Sequence, residues 1–107
     1  MISFEDFKKL DLRVAKILEV KDHPDADRLY VLRIQVGQEE KQIVAGIRQF
    51  YSPEELEGGY IVIVNNLEPV TLRGQQSNGM LLAAKRDDGM PVLLVPEKDV
   101  ESGSIIG

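Results

Sequence analysis

Hydrophobic residues open this chain at a spacing of three and then switch to a spacing of two. Phe4, Phe7 and Leu10 fall on one stripe and Ser3 with Asp6 makes a capping pair, so the pattern predicts a short N-terminal helix. From Leu12 the alternation is that of a strand, with Leu12, Val14, Leu18 and Val20 on one face and Arg13, Ala15, Ile17 and Glu19 on the other. Proline and aspartates in KDHPDADR, residues 21–28, mark a loop. A second strand follows over 29–36, and GQEE turns the chain into a third at 42–45. Arg33 interrupts the apolar run of the second strand and must face solvent, a partner or a ligand.

Ser52-Pro53-Glu54-Glu55 writes a helix start, with an N-cap, proline at the first position and glutamate at the third, and Gly58 stops it. The fourth strand is expected at 60–64 and the fifth at 80–85, with Arg86 to Gly89 turning into a sixth run at 92–95. Short strands, one helical connector after the third, and no helix long enough for a parallel crossover predict an all-β fold. The order fits a five-stranded oligonucleotide-binding barrel with short helices and terminal extensions. One domain over residues 1–107 is expected, since no linker, repeat or low-complexity segment divides the chain.

Composition narrows the function. With 43% apolar and 29% charged residues the chain has the balance of a globular domain. No cysteine is present, which removes disulfides, thiolate metal sites and cysteine nucleophiles. The N-terminus MISFEDFKKL lacks the apolar core of a signal peptide, and no apolar run is long enough to span a membrane, so a cytoplasmic protein is expected. A net charge of −5 argues against a broad grip on polyanions. The imbalance is confined to one half: residues 1–50 carry nine basic and nine acidic side chains, and residues 51–107 carry four and nine. A local basic face is compatible with that distribution; a long basic track is not.

The most distinctive stretch is NNLEPVTLRGQQSNGM, residues 65–80, polar and glycine-punctuated between two apolar runs. Its hydroxyl, amide and guanidinium groups suit binding, but it offers no thiol, histidine or carboxylate pair for breaking bonds. Ser77 has no general base nearby in sequence, and His23 is the sole histidine. His23 with Asp25 and Asp27 makes a poor metal set; turn formation is the better reading of those aspartates. Neither GxxxxGK[ST] nor GxGxxG occurs. No metal, cofactor or enzymatic activity is therefore expected. Aromatic residues are few, so any nucleic acid would be held through backbone shape and polar contacts rather than by base stacking.

An ordered set of motifs covers nearly the whole chain. It comprises Phe7 with DLRVAKI at 11–17, HisPro at 23–24 with ADRL at 26–29, IVAGI at 43–47, YSPEELEG at 51–58, VNNLEP at 64–69 and RGQQSNGM at 73–80. In this combination the chain resembles the free-standing tRNA-binding domain family. The module is similar to the C-terminal dimerisation domain of many methionyl-tRNA synthetases, to a domain of bacterial phenylalanyl-tRNA synthetase β chains, and to the cytokine-precursor domain of multisynthetase complexes. Ala15 stands where glycine is frequent, and Asn78 where glutamate or glutamine is common.

The resemblance implies a homodimer that binds tRNA by shape, in trans or as an accessory to an aminoacyl-tRNA synthetase. Its RNA-facing positions map to Asn66, Ser77 and Met80, with Asn78 in the same loop and Arg13 and Arg33 as basic contacts. Arg73 and Lys85 join them by their placement beside that loop. Residues 1–10 and 98–107 are the expected dimerisation segments, through Phe4, Phe7, Leu10, Val100, Ile105 and Ile106. A competing reading comes from relatives of this fold described as chaperone-like export factors that bind unfolded polypeptides.

Overall fold

The computed structural model describes all of residues 1–107. Its elements are α1 (Phe4–Phe7), β1 (Leu12–Asp22), β2 (Tyr30–Val36), β3 (Glu39–Ala45), α2 (Pro53–Leu56), β4 (Tyr60–Val64), β5 (Val70–Leu72), β6 (Gln75–Ser77), β7 (Met80–Leu81), β8 (Ala83–Lys85), β9 (Pro91–Leu93) and β10 (Ile105–Ile106). The main sheet runs β3-β2-β1-β4-β7, antiparallel throughout, and curls into the barrel expected from the sequence. Ile17, Leu32, Ile34, Ile43, Ile61 and Ile63 fill its interior and are almost wholly shielded from water. Leu56 of α2 is buried with them. The capping box forms as the sequence predicts: Glu55 N–H donates to the Ser52 hydroxyl and Ser52 N–H to the Glu55 carboxylate. Beside it the Tyr30 hydroxyl donates to Tyr51 O over 2.6 Å, and burial pushes that phenol up.

β1 departs from the simple alternation. Ile17 pairs with Ile34 and Glu19 with Arg33, leaving Leu18 as an extra residue in a bulge. The bulge exchanges the two faces, so that Ala15, Ile17 and Val20 enter the core together, rather than Val20 with Leu12, Val14 and Leu18. Val14 is buried from the other side, where Gly103 N–H donates to its carbonyl and its own N–H donates to Ser104.

The segment expected as one fifth strand is broken at Leu82: β7 pairs with β4, while β8 pairs with β9. The polar loop also has more order than its composition suggests. β5 and β6 form a hairpin whose turn, Arg73-Gly74, has φ of 53° and 89° at its two central positions. Positive φ at both is the backbone twist that a tight hairpin requires.

Closure of the barrel between β3 and β6 combines side-chain bonds with one backbone bond. Val44 N–H donates to Ser77 Oγ over 2.9 Å, and the Ser77 hydroxyl donates to Gly79 O over 2.8 Å. Gln42 Nε2 donates to Gln76 O, and Asn78 N–H donates to Gln42 O. Gly79 has φ of 130°, and a side chain there would meet Val64 O at 2.9 Å. Ser77 is completely buried, so the expectation that its hydroxyl faces RNA is corrected: the hydroxyl is spent inside the barrel.

Residues 9–11 are tied to the end of β4. Asn66 accepts from Asp11 N–H and donates to Lys9 O, while Asn65 Nδ2 donates to the Asp11 carboxylate over 3.0 Å. Arg13 Nε donates to the same carboxylate over 2.6 Å. These hydrogen bonds, Asn65 first and Arg13 second, hold the Asp11 carboxyl below its ordinary value of 3.8.

Two outcomes follow from these contacts. Ser77→Ala leaves the buried Val44 N–H without an acceptor and should cost about 1–3 kcal/mol of unfolding free energy in urea titration; parental stability would rule out the closing role. Asp11, with its lowered folded value, stabilises the fold fully above the usual aspartate range, and that contribution is lost as pH falls through the lowered value. Asp11→Asn should therefore melt earlier at neutral pH and show a flatter acid limb below pH about 4 than the parent.

Candidate nucleic-acid interface

The outer face of β1, β2 and β3 carries a groove of about 330 Å³ lined by Glu19, Lys21, Val31, Arg33, Lys41 and Gln42. The strands place Glu19, Lys21, Val31, Arg33 and Gln42 on this face, whereas Lys41 is the register partner of buried Ile34 and sends its ammonium to Asn65. Arg33 is the outward residue between buried Leu32 and Ile34, and its register partners are Glu19 and Gln42. Lys21 stands opposite Val31. On one side the β5–β6 hairpin borders the groove, joined to it through Gln42, whose side chain reaches Gln75 and Gln76. In a barrel of this type the face of the second and third strands, with the loops beside it, is the surface that takes oligonucleotides and oligosaccharides.

The cations here are already engaged. Arg33 pairs with Glu40 and lies 3.8 Å from Glu19, which also lies 3.7 Å from Lys21. Lys41 Nζ donates to Asn65 Oδ1 over 2.8 Å and to Asn65 O over 3.0 Å. The exposed pairs of Lys21 and Arg33 are worth about 0–1 kcal/mol each, so a phosphate can take the place of a carboxylate there at little cost while the pair keeps the cation in position.

The sequence-predicted residues separate into groups. Arg33 lies in the groove. Arg73 stands at the tip of the bordering hairpin, exposed and without a hydrogen bond or ion pair. Asn78 is half-buried and bonds β3 through its backbone N–H. Arg13 is held by Asp11 and by Gly103 O, and Asn66 has its amide committed to Lys9 and Asp11, so both act as tethers of the N-terminal segment. Met80 is partly buried and packs on the core, the ordinary use of a methionine at the start of a strand. Lys85 is exposed on β8 opposite Pro91, in the separate β8–β9 hairpin.

Lys21, Lys41 and Gln42 lie outside the set expected from sequence. The Leu18 bulge controls which side chains of β1 point outward beyond it, and β3 starts at Glu39 rather than at 42, which brings Lys41 into a strand. A second and larger cleft of about 460 Å³ lies between α2, β4 and residues 92–100. Its lining carries Glu55, Glu97 and Asp99 against Lys98, the wrong charge for a phosphate chain.

Comparison with known proteins places this geometry in a family. The family described as "Putative tRNA binding domain" matches residues 12–105. The methionine–tRNA ligase of Thermococcus kodakarensis is 58% identical over 106 residues, which cover 98% of this chain and 14% of that protein. That of Nanoarchaeum equitans is 51% identical over 105 residues, covering 97% of this chain and 13% of the relative. The chain thus spans about a seventh of the synthetases it matches. Among solved structures, a MetRS-related protein from Pyrococcus horikoshii superposes with a TM-score of 0.93 at 31% identity, covering 100% of this chain and 98% of that one. The chaperone CsaA from Bacillus anthracis superposes with a TM-score of 0.90 at 34% identity, covering 100% and 99%. The chain belongs to the tRNA-binding domain family.

Proposed function

We propose that this domain binds tRNA by shape through the β1–β3 groove and the tip of the β5–β6 hairpin, as a homodimer, in trans or as an accessory to an aminoacyl-tRNA synthetase in the cytoplasm. The observation that carries this reading is the placement of Lys21 and Arg33 on one groove face of an otherwise acidic molecule. Exposed aromatic rings are absent from that groove, which favours phosphate and ribose contacts to a folded RNA over base stacking. Nothing in the groove supplies a nucleophile with its base, so binding is the whole of its chemistry.

The tip of the hairpin supports the same reading. A turn of this type prefers Asn-Gly, because at positive φ the Cβ of most residues crowds the neighbouring carbonyl oxygen. Arginine is there instead, at φ of 53°, with its guanidinium unengaged. Strain accepted at an exposed position points to use of the side chain.

Assembly as a dimer is supported by apolar surface at both chain ends. No residue of α1 is buried, and a helix of four residues has little stability without packing. Phe4 is 67% and Ile105 74% exposed, with Leu10 and Val100 also open, and Phe7 half-buried. Ile106 pairs with Leu12, which anchors the C-terminal segment next to the N-terminal one. Val92, Leu94 and Val95 add to the exposed apolar area beyond the segments expected from sequence. The same apolar surface, with the likeness to CsaA, favours a second reading in which the protein holds unfolded or exported polypeptides.

Three measurements test these proposals. Gel shifts should show intact tRNA binding ahead of its isolated stem-loops and of unstructured RNA, with about two to five ions released in a salt titration; equal binding to unstructured RNA, or copurification of preproteins without tRNA, would favour the second reading. Arg73→Asn should raise stability by about 1 kcal/mol, because asparagine suits the turn, and weaken tRNA binding about tenfold through the lost guanidinium. Sedimentation should show a dimer at micromolar protein; a monomer at every concentration would reject the assembly.

A further inference from the structure

The single histidine is buried, with 2% of its surface exposed, and the groove does not use it. Its ring has a partner on each nitrogen. Asp25 N–H donates to Nδ1 over 2.9 Å, and Nε2 lies 2.9 Å from Leu72 O. A backbone N–H can only donate and a carbonyl can only accept, so both partners select the same neutral tautomer, with the proton on Nε2. The ring bridges two segments 49 residues apart in sequence: the β1–β2 loop and the last residue of β5, immediately before Arg73.

The two ends of that bridge differ in rigidity. The loop is firmly built: His23 N–H donates to Leu29 O, Arg48 donates to Ala26 O over 3.2 Å, and the same guanidinium lies 3.2 Å from the Asp22 carboxylate. The hairpin, by contrast, is attached to the barrel along β6 through Ser77, Gln42 and Asn78. On β5 and the turn, Val70, Thr71 and Arg73 are exposed, and the bond from His23 to Leu72 O is the hydrogen bond that joins this side to the barrel. Without it the tip is held along one edge and free to swing.

We propose that His23 is a positioning residue: it fixes the hairpin tip so that Arg73 stands in one orientation beside the groove. The inference rests on the tRNA reading above and adds to it the group that orders the arginine. With the backbone at the base of Arg73 already held, only the side chain's own freedom is lost on meeting a phosphate, so affinity gains from the tether although the imidazole touches no RNA.

The experiment uses the full chain and unmodified tRNA at fixed salt, with His23→Leu and His23→Gln made in both the parent and an Arg73→Ala background. In the parent, His23→Leu should weaken tRNA binding about tenfold and lower the salt slope by about one ion. His23→Gln restores a donor toward Leu72 O and should bring affinity back to within about threefold of the parent. In the Arg73→Ala background, His23→Leu should cost nothing further, because the residue it positions is gone. Hydrogen exchange should be faster at residues 70–76 of His23→Leu, with the amides of β1, β2 and β4 unchanged. Equal losses in both backgrounds, failure of glutamine to rescue, or unchanged exchange at the hairpin would each overturn the positioning role. Absence of tRNA binding by the parent would instead overturn the tRNA reading, and the exchange measurement would still report whether His23 holds the tip.

Discussion

The bond from Val44 N–H to the Ser77 hydroxyl is the contact on which the rest of this molecule depends. A curled sheet that does not meet its own edge leaves a row of unpaired backbone groups, which is costly when buried and a hazard when exposed. Here the chain cannot complete the ladder with backbone alone, because it must turn sharply at Gly79, against Val64 O, to re-enter the sheet as β7. A serine side chain fills the gap that the turn creates. Gln42 continues the same seam toward the open face, so the residues that close the barrel also form the wall of its groove.

The fold was legible in the sequence wherever one rule acted alone. The second strand, expected over 29–36 as an apolar run broken by Arg33, forms at Tyr30–Val36 with Tyr30, Leu32, Ile34 and Val36 buried and Arg33 exposed. The SPEE signature produced its capping box with both reciprocal bonds. Difficulty came where a local irregularity altered the rule. Leu18 has the hydrophobicity of a core residue, and nothing in its own chemistry announces that it is the extra residue of a bulge. The β5–β6 hairpin was hidden because its strands are short and polar, and because its turn uses arginine where asparagine would have signalled it.

The site was less legible than the fold for a related reason. Polar residues in a shaped loop serve either to bind something else or to hold the loop itself, and sequence does not distinguish the two uses. Ser77 and Asn66 have their polar groups bonded within the protein, whereas Arg33 and Arg73 have their charged groups at the surface. Lysines of the groove were obscured by geometry: Lys21 follows the bulge, and Lys41 sits in a turn sequence that the structure extends into a strand.

Every arginine and lysine of the groove is already satisfied by a carboxylate or an amide of the protein itself. Such a surface sets an entry threshold. One passing phosphate gains little, since it replaces an existing partner with a similar one, and a flexible chain would have to make several such exchanges while losing its own freedom. A rigid polyanion that presents several phosphates at once makes all the exchanges for a single loss of translational freedom. On the tRNA reading proposed above, selectivity for folded over unfolded strands would arise from the protein's own ion pairs, with no group reading a base.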